Sequence, residues 1–243
     1  MEASTAVLLA ANLIVLFAFF TRALTGFGGA LLCVPLLALF FDMQFVVPVE
    51  CSLEVVLSLI LVPRVWRLVD GRNLAVLLVG ALAGSFIGVG LLQSLTDASL
   101  KGALGVFVIL AGLHLLHRNR AGEAPPISRA WGLVAGVIGG VLGGVFGTPG
   151  PAYVAYLAYQ TSDQKVFRAT LITLFAIEYT WRLVLFIRAG LYTMTELEFS
   201  LWLVPSVVAA AVGGHFIHPR LDERVFRSIV CALLIVSGVL CFL

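Results

Sequence analysis

The stretch TGFGGALLCVPLL, Thr25 to Leu37, breaks an apolar run long enough to enter a membrane and restarts it at once. Glycine admits positive φ and close backbone approach, while proline removes a donor and restricts the residue before it. A second stretch of the same character, GGVFGTPGPAYVAYL, runs from Gly143 to Leu157. Unwound backbone is tolerated at membrane depth only where protein buries it or a wet cavity receives it. Tight helix packing alone would explain the glycines, but it does not call for Pro149 and Pro151 beside a break.

Around these breaks the composition is that of a protein dissolved in lipid. Apolar residues make up 61% of the 243 positions and charged residues 12%, with a mean hydropathy of +1.09, against roughly half and a quarter in soluble domains. A bilayer core about 30 Å thick needs about 20 apolar residues per helix, and such stretches recur along the chain. Met1 to Leu24 carries only Glu2 and Arg22, so it reads as a first membrane segment and not as a cleaved leader. Net charge is +2 with no basic tail or charge run, which gives nucleic acid no footprint. No Ser/His/Asp order, Walker-type loop or HExxH occurs, and neither an enzyme nor a cofactor is expected.

Apolar runs between turn and charge signals predict helices over 6–24, 29–41, 45–66, 73–95 and 99–117, then over 131–147, 150–160, 164–188, 196–217 and 223–243. Gly26, Gly29 and Leu36 fall on Gly147, Gly150 and Leu157 at a constant offset of 121, and Leu100, Lys101 and Gly112 on Phe226, Arg227 and Gly238 at 126. The expected fold is an all-α integral membrane protein of about 8 to 10 membrane segments. It consists of two inverted repeats, 1–117 and 130–243, each a broken or re-entrant helix pair followed by three spanning helices, joined by a linker over 118–129. Inverted repeats with broken helices are a recurring architecture of secondary transporters. Twelve of the 15 lysines and arginines, Arg22 among them, fall on one side in this arrangement, leaving Lys101, Arg182 and Arg188. Lysine and arginine concentrate in cytoplasmic loops, so the linker is expected in the cytoplasm and both termini outside, in the inner or plasma membrane.

A helix N-terminus presents free N–H groups and about half a positive charge. Two of them meeting near Gly28 to Leu31 and Pro149 to Ala152 would cradle a small anion, with Thr25 and Thr148 adding hydroxyls. Ionisable residues within membrane helices are functional candidates by default. Glu50 and Glu54 are four apart on one helix, as are Glu178 and Arg182 on the matching one. One reading pairs Glu178 with Arg182 structurally. The other gives Arg182 to the anion and makes Glu54 or Glu178 the carrier of a coupling proton, with Glu50 solvated near the helix end. Gly80, Gly84 and Gly88 form a small-residue packing stripe. Cys33, Cys51, Cys231 and Cys241 read as buried hydrophobes, and the pairs His114/His117 and His215/His218 lack companions for a metal site.

The breaks resemble those of the sulfite exporter TauE/SafE family, also called toluene sulfonate uptake permeases, whose halves each carry a G-x-G-G-G, apolar run, P-L-L pattern. Gly26, Gly28, Gly29, Pro35, Leu36 and Leu37 match the first copy, with Ala30 in place of its third glycine. The second copy keeps Gly147 and Gly150, with Tyr156 where the first has Pro35. In this family a small hydroxyl residue follows early in the next helix, which corresponds to Ser52 and Thr170. The resemblance implies a transporter of sulfite, sulfonate or a similar small anion by alternating access, coupled to an ion gradient. Its partners would be the anion, a proton and the bilayer; a homo-oligomer is compatible with it. The anion would be held by Thr25, Gly28, Gly29, Ala30, Ser52, Thr148, Gly150, Thr170 and Arg182. An anion channel, or a membrane-embedded enzyme or scaffold, are the alternatives.

Overall fold

A backbone in lipid has to satisfy its own hydrogen bonds, and helices do this within one segment. The computed structural model describes residues 5–25, 29–117, 127–217 and 238–239, and contains no strand among them. Helix α1, Thr5–Thr25, is followed by the short α2, Gly29–Leu37, then by α3, Met43–Val65, and a 3-10 turn, Trp66–Leu68. Next come α4, Gly71–Ser94, and α5, Asp97–His117. Beyond the linker lie α6, Ala130–Phe146, the short α7, Gly150–Ala158, and the long α8, Gln164–Arg188, and α9, Met194–Ile217. The segment expected over 223–243 lies almost wholly outside the described residues, as do Cys231, Cys241 and His218.

Among the described residues, five stretches, Ala6–Ala23, Met43–Leu68, Gly71–Ser94, Gln164–Arg188 and Met194–Gly213, are long and apolar enough to cross a membrane. Polarity is distributed inside out: Leu13 and Phe86 are 67% and 69% exposed, whereas Glu50, Glu54, Glu178 and Arg182 are fully buried. A solvent of lipid makes that arrangement favourable, because the costly desolvation is that of the charges.

Helix directions can be read from individual contacts. Helices α4 and α6 run parallel, with Gly80 against Gly136 and Gly88 against Gly144; a side chain on any of them would strike the opposite backbone. This is the close approach expected of the stripe at Gly80, Gly84 and Gly88. Helices α1 and α9 also run parallel: Ser206 donates to Asn12 Oδ1 at 2.7 Å, and Gly213 faces the Phe20 ring. Helices α3 and α8 lie antiparallel beside each other: Cys51 Sγ, early in α3, donates to Tyr179 O at 3.3 Å, while Asp70 N, just past the end of α3, donates to Thr170 Oγ1 near the start of α8 at 3.0 Å.

The short helix α7 does not continue α6; it turns back along it. Tyr153 packs on Gly139, Tyr156 on Gly132, and Gln160 Nε2 donates to Ile127 O at 2.7 Å. The chain therefore returns to the end of the bundle from which α6 set out. Asp70 and Asp163, which cap α4 and α8 there, accept from backbone N–H groups of the first turn. At the opposite end, Met43 N donates to Asp97 Oδ1 at 2.7 Å, and Gln93 Nε2 donates to Ala189 O at 3.1 Å.

Candidate functional site

The site is built where two helices stop inside the protein. Helix α6 ends at Gly147, whose φ of +71° is the left-handed conformation that glycine adopts without strain. Its N–H closes on Gly143 O at 2.8 Å, and its carbonyl accepts from Tyr179 OH at 3.4 Å. Thr148 and Pro149 then lead into α7 at Gly150. Helix α1 ends with Arg22 in its last turn, and α2 restarts at Gly29. A Cβ on Gly29 would approach Arg22 Cβ and Cδ to 3.1 Å and Glu54 Oε1 to 3.3 Å. One on Gly147 would approach Glu50 Oε2 to 3.0 Å and Val34 Cγ2 of α2 to 3.2 Å.

The two breaks thus meet, and a small cavity of about 30 Å³ lies between them. Among the described residues it is lined by Ala30 and Leu31 of the first break, Thr148 to Pro151 of the second, and Arg22, Phe175 and Tyr179. The first-turn amides of α2 and α7 have no partner within their own helices. Thr148 is 2% exposed, and its hydroxyl has no hydrogen-bond partner among the described residues.

Arg22 supplies the positive charge at the wall. Its Nε lies 2.9 Å from Glu54 Oε2, an ion pair without the alignment of a hydrogen bond. Its guanidinium sits 4.9 Å from the centre of the Phe175 ring and 5.6 Å from that of Tyr179. The sequence places Arg22 among loop cations; the structure corrects this, because α1 ends inside the protein and its last-turn cation meets a carboxylate instead of water. Glu50 is corrected likewise: it is fully buried, not solvated, and among the described residues no donor reaches either carboxyl oxygen.

Arg182 lies outside the cavity lining. It bonds Glu178 Oε1 at 2.9 Å and Gly143 O, and stands 4.6 Å from the Tyr179 ring centre. Glu178 also accepts from Tyr153 OH at 2.8 Å and Ser85 Oγ at 3.3 Å. The structural pairing of Glu178 with Arg182 is the arrangement observed. Ser52 and Thr170 lie apart from the cavity as well. Ser52 Oγ lies within hydrogen-bond distance of Val49 O at 2.7 Å and Ser200 Oγ at 2.8 Å, while Thr170 donates to Val166 O at 2.8 Å and accepts from Asp70 N at 3.0 Å. Both hydroxyls tie neighbouring helices together.

Gly29 packs on Arg22 and Glu54, whereas Ala30, Thr148 and Gly150 face the cavity. Gly28 and the side chain of Thr25 lie outside the described residues, as do the side chains of both histidine pairs. Cys33 and Cys51 are buried and do not line the cavity. No cluster of metal-ligating side chains occurs among the described residues.

Neither a curated protein nor a solved structure matches the chain. The profile of the sulfite exporter TauE/SafE family matches residues 11–241, nearly its whole length, so the chain belongs to this family of membrane transporters.

Proposed function

We infer that the protein is a secondary transporter of a small sulfur-containing oxyanion or organosulfonate, of the sulfite, sulfonate and sulfoacetate class, moved by alternating access. The observation that carries this reading is the cavity bounded by both breaks, with the Arg22 guanidinium at its wall and the unpaired Thr148 hydroxyl beside it. An anion there would accept from the amides of Ala30, Leu31 and Gly150 and from Thr148, and would face the Arg22 charge. Two helix N-termini supply further positive potential without the cost of more buried cations. Arg182, Ser52 and Thr170 act in this reading as struts that fix α8, α3 and their neighbours.

The halves 1–117 and 130–243 are read as inverted repeats around this cavity, joined through 118–129. The matched contacts support this: α6 runs parallel to α4, α1 runs parallel to α9, and the central helices α3 and α8 are antiparallel. Such a layout lets one unit rock against the other about a fixed site. The linker is assigned to the cytoplasm and both termini to the outside, of the inner or plasma membrane, by the positive-inside argument. Coupling to a proton gradient completes the reading.

Purified protein in liposomes, given radiolabelled sulfite, sulfonates and sulfate with and without an imposed pH gradient, tests the function. Accumulation of sulfite or a sulfonate above its equilibrium distribution under the gradient is expected and excludes a channel. Absence of flux for every anion under both conditions rejects transport of this class.

A further inference from the structure

Glu50 is the buried charge that the anion cavity leaves unused. Helix α3 places it one turn from Glu54, and the two carboxyl groups face each other inside the protein. Glu54 has Arg22 at 2.9 Å, and Glu178 has Arg182, Tyr153 and Ser85. Among the described residues no N–H or O–H donor reaches either oxygen of Glu50, which has only the Glu54 carboxyl beside it. Each member of the pair also lies under one break: Glu54 against Gly29 and Glu50 against Gly147.

The titratable and charged groups that face the pair are Arg22 of α1, Cys33 of α2, Cys51 of α3, and Tyr179 and Arg182 of α8. With Glu178, which Arg182 holds, the buried charged residues at the centre, among those described, are two arginines and three glutamates. An uncompensated charge at this depth is expensive. One proton makes the set neutral, and two facing carboxyl groups are the place for it, since they hold a proton as a unit. Arg22 touches both this pair and the anion cavity, so its charge can be answered by Glu54 or by an anion but not fully by both.

We propose that the Glu50–Glu54 carboxyl pair is the proton-coupling site. It holds one proton while the cavity is empty, and a second when Arg22 turns its charge from Glu54 to a bound anion. Charge balances at each stage: the empty site has one guanidinium against one shared negative charge, and the loaded site has the same guanidinium against a monoanion, with both carboxyls protonated. One proton then accompanies each monoanion, and release of the anion returns Arg22 to Glu54 and expels the proton. This coupling rests on the anion-transport reading, whereas the shared proton can be observed without it.

Infrared spectroscopy of the protein in lipid at neutral pH, with and without sulfite, reads the proton directly through the C=O stretch of protonated carboxyl groups. Expected is a band in the wild type that is lost in Glu50→Gln and Glu54→Gln, retained in Glu50→Asp, and about doubled by saturating sulfite in the wild type. A wild type lacking the band, or a band unchanged by Glu50→Gln in a variant that elutes as folded protein, overturns the proposal. In liposomes, acid-driven sulfite accumulation is expected to fall at least about tenfold in Glu50→Gln and to recover partly in Glu50→Asp. Undiminished accumulation in Glu50→Gln also overturns it. If the band behaves as expected but the wild type carries no sulfite or sulfonate, the shared proton stands while the transport reading and its coupling fall.

Discussion

Arg22 Nε lies 2.9 Å from Glu54 Oε2, which joins the last turn of α1 to the middle of α3 through a pair of buried charges. Breaking such a pair by removing one member strands the other, at roughly 3–5 kcal/mol. Arg22→Ala is therefore expected to lower thermal stability in detergent by a readily measured amount. Replacing both members together, as in Arg22→Met with Glu54→Leu, is expected to recover most of that loss because no charge is left unanswered. Sulfite flux is expected to be lost in both variants, since each lacks the only arginine among the described residues lining the cavity. Equal destabilisation in the single and double variants would contradict the pairing.

Thr148 gives the opposite pattern. Its hydroxyl bonds no described group, so Thr148→Val is expected to leave thermal stability within about 0.5 kcal/mol of the wild type. The same change removes a hydrogen bond to a charged ligand, worth about 1.5–3 kcal/mol, and should weaken sulfite binding by about tenfold or more. Calorimetric titration of sulfite checks the second effect and a melting curve the first.

The contact of α4 with α6 admits no added carbon. At Gly88, a Cβ would meet Val141 O and Gly144 Cα, whereas at Gly90, two residues on and on the opposite face of the helix, nothing lies within reach. Gly88→Ala is expected to destabilise by about 1–3 kcal/mol through overpacking, and Gly90→Ala to be neutral or slightly stabilising, in keeping with alanine's better helix propensity. Thermal shift of the two variants side by side separates close packing from a general intolerance of substitution.

Asp70 caps α4 at the end of the bundle shared with the α6–α7 return. Partial burial works to raise its pKa but is outweighed by hydrogen bonds from the Asn73 backbone and side chain and the Arg72 backbone, so the carboxyl stays below the ordinary aspartate range. With the folded value depressed, its contribution is complete above the unfolded pKa of about 3.9 and disappears as pH falls through the folded value. Asp70→Ala should cost about 1 kcal/mol at neutral pH, and less in acid. A cost that is constant through acid pH would contradict this role.

The helices over the described residues and the positions of both breaks were legible in the sequence because each follows from local chemistry: apolar length, glycine, proline and their order. The meeting of the breaks also agrees with the expected cradle at Gly28 to Leu31 and Pro149 to Ala152, although Gly28 itself lies outside the described residues. Depth was not legible. Arg22 near a helix end and Glu50 near a helix start look alike whether the end is wet or buried, and only the fold decides which. Partner choice was equally hidden. Nothing in the spacing of Ser52 and Thr170 indicates that they bond Ser200 and the Asp70 amide, because those contacts join helices far apart in the chain. An arginine just before a glycine break, in a run otherwise free of charge, was the available signal for Arg22.

The central claim is that the cavity between α2 and α7 holds the anion, and the most direct test is an anomalous-scattering structure of the protein bound to selenite, a heavier analogue of sulfite. The account predicts a selenium peak between the two breaks, within about 3.2 Å of Thr148 Oγ1 or of the Ala30, Leu31 or Gly150 amides through its oxygens, with Arg22 turned toward it. A well-ordered selenite bound instead at Arg182, or a cavity that remains empty under saturating selenite, would contradict it.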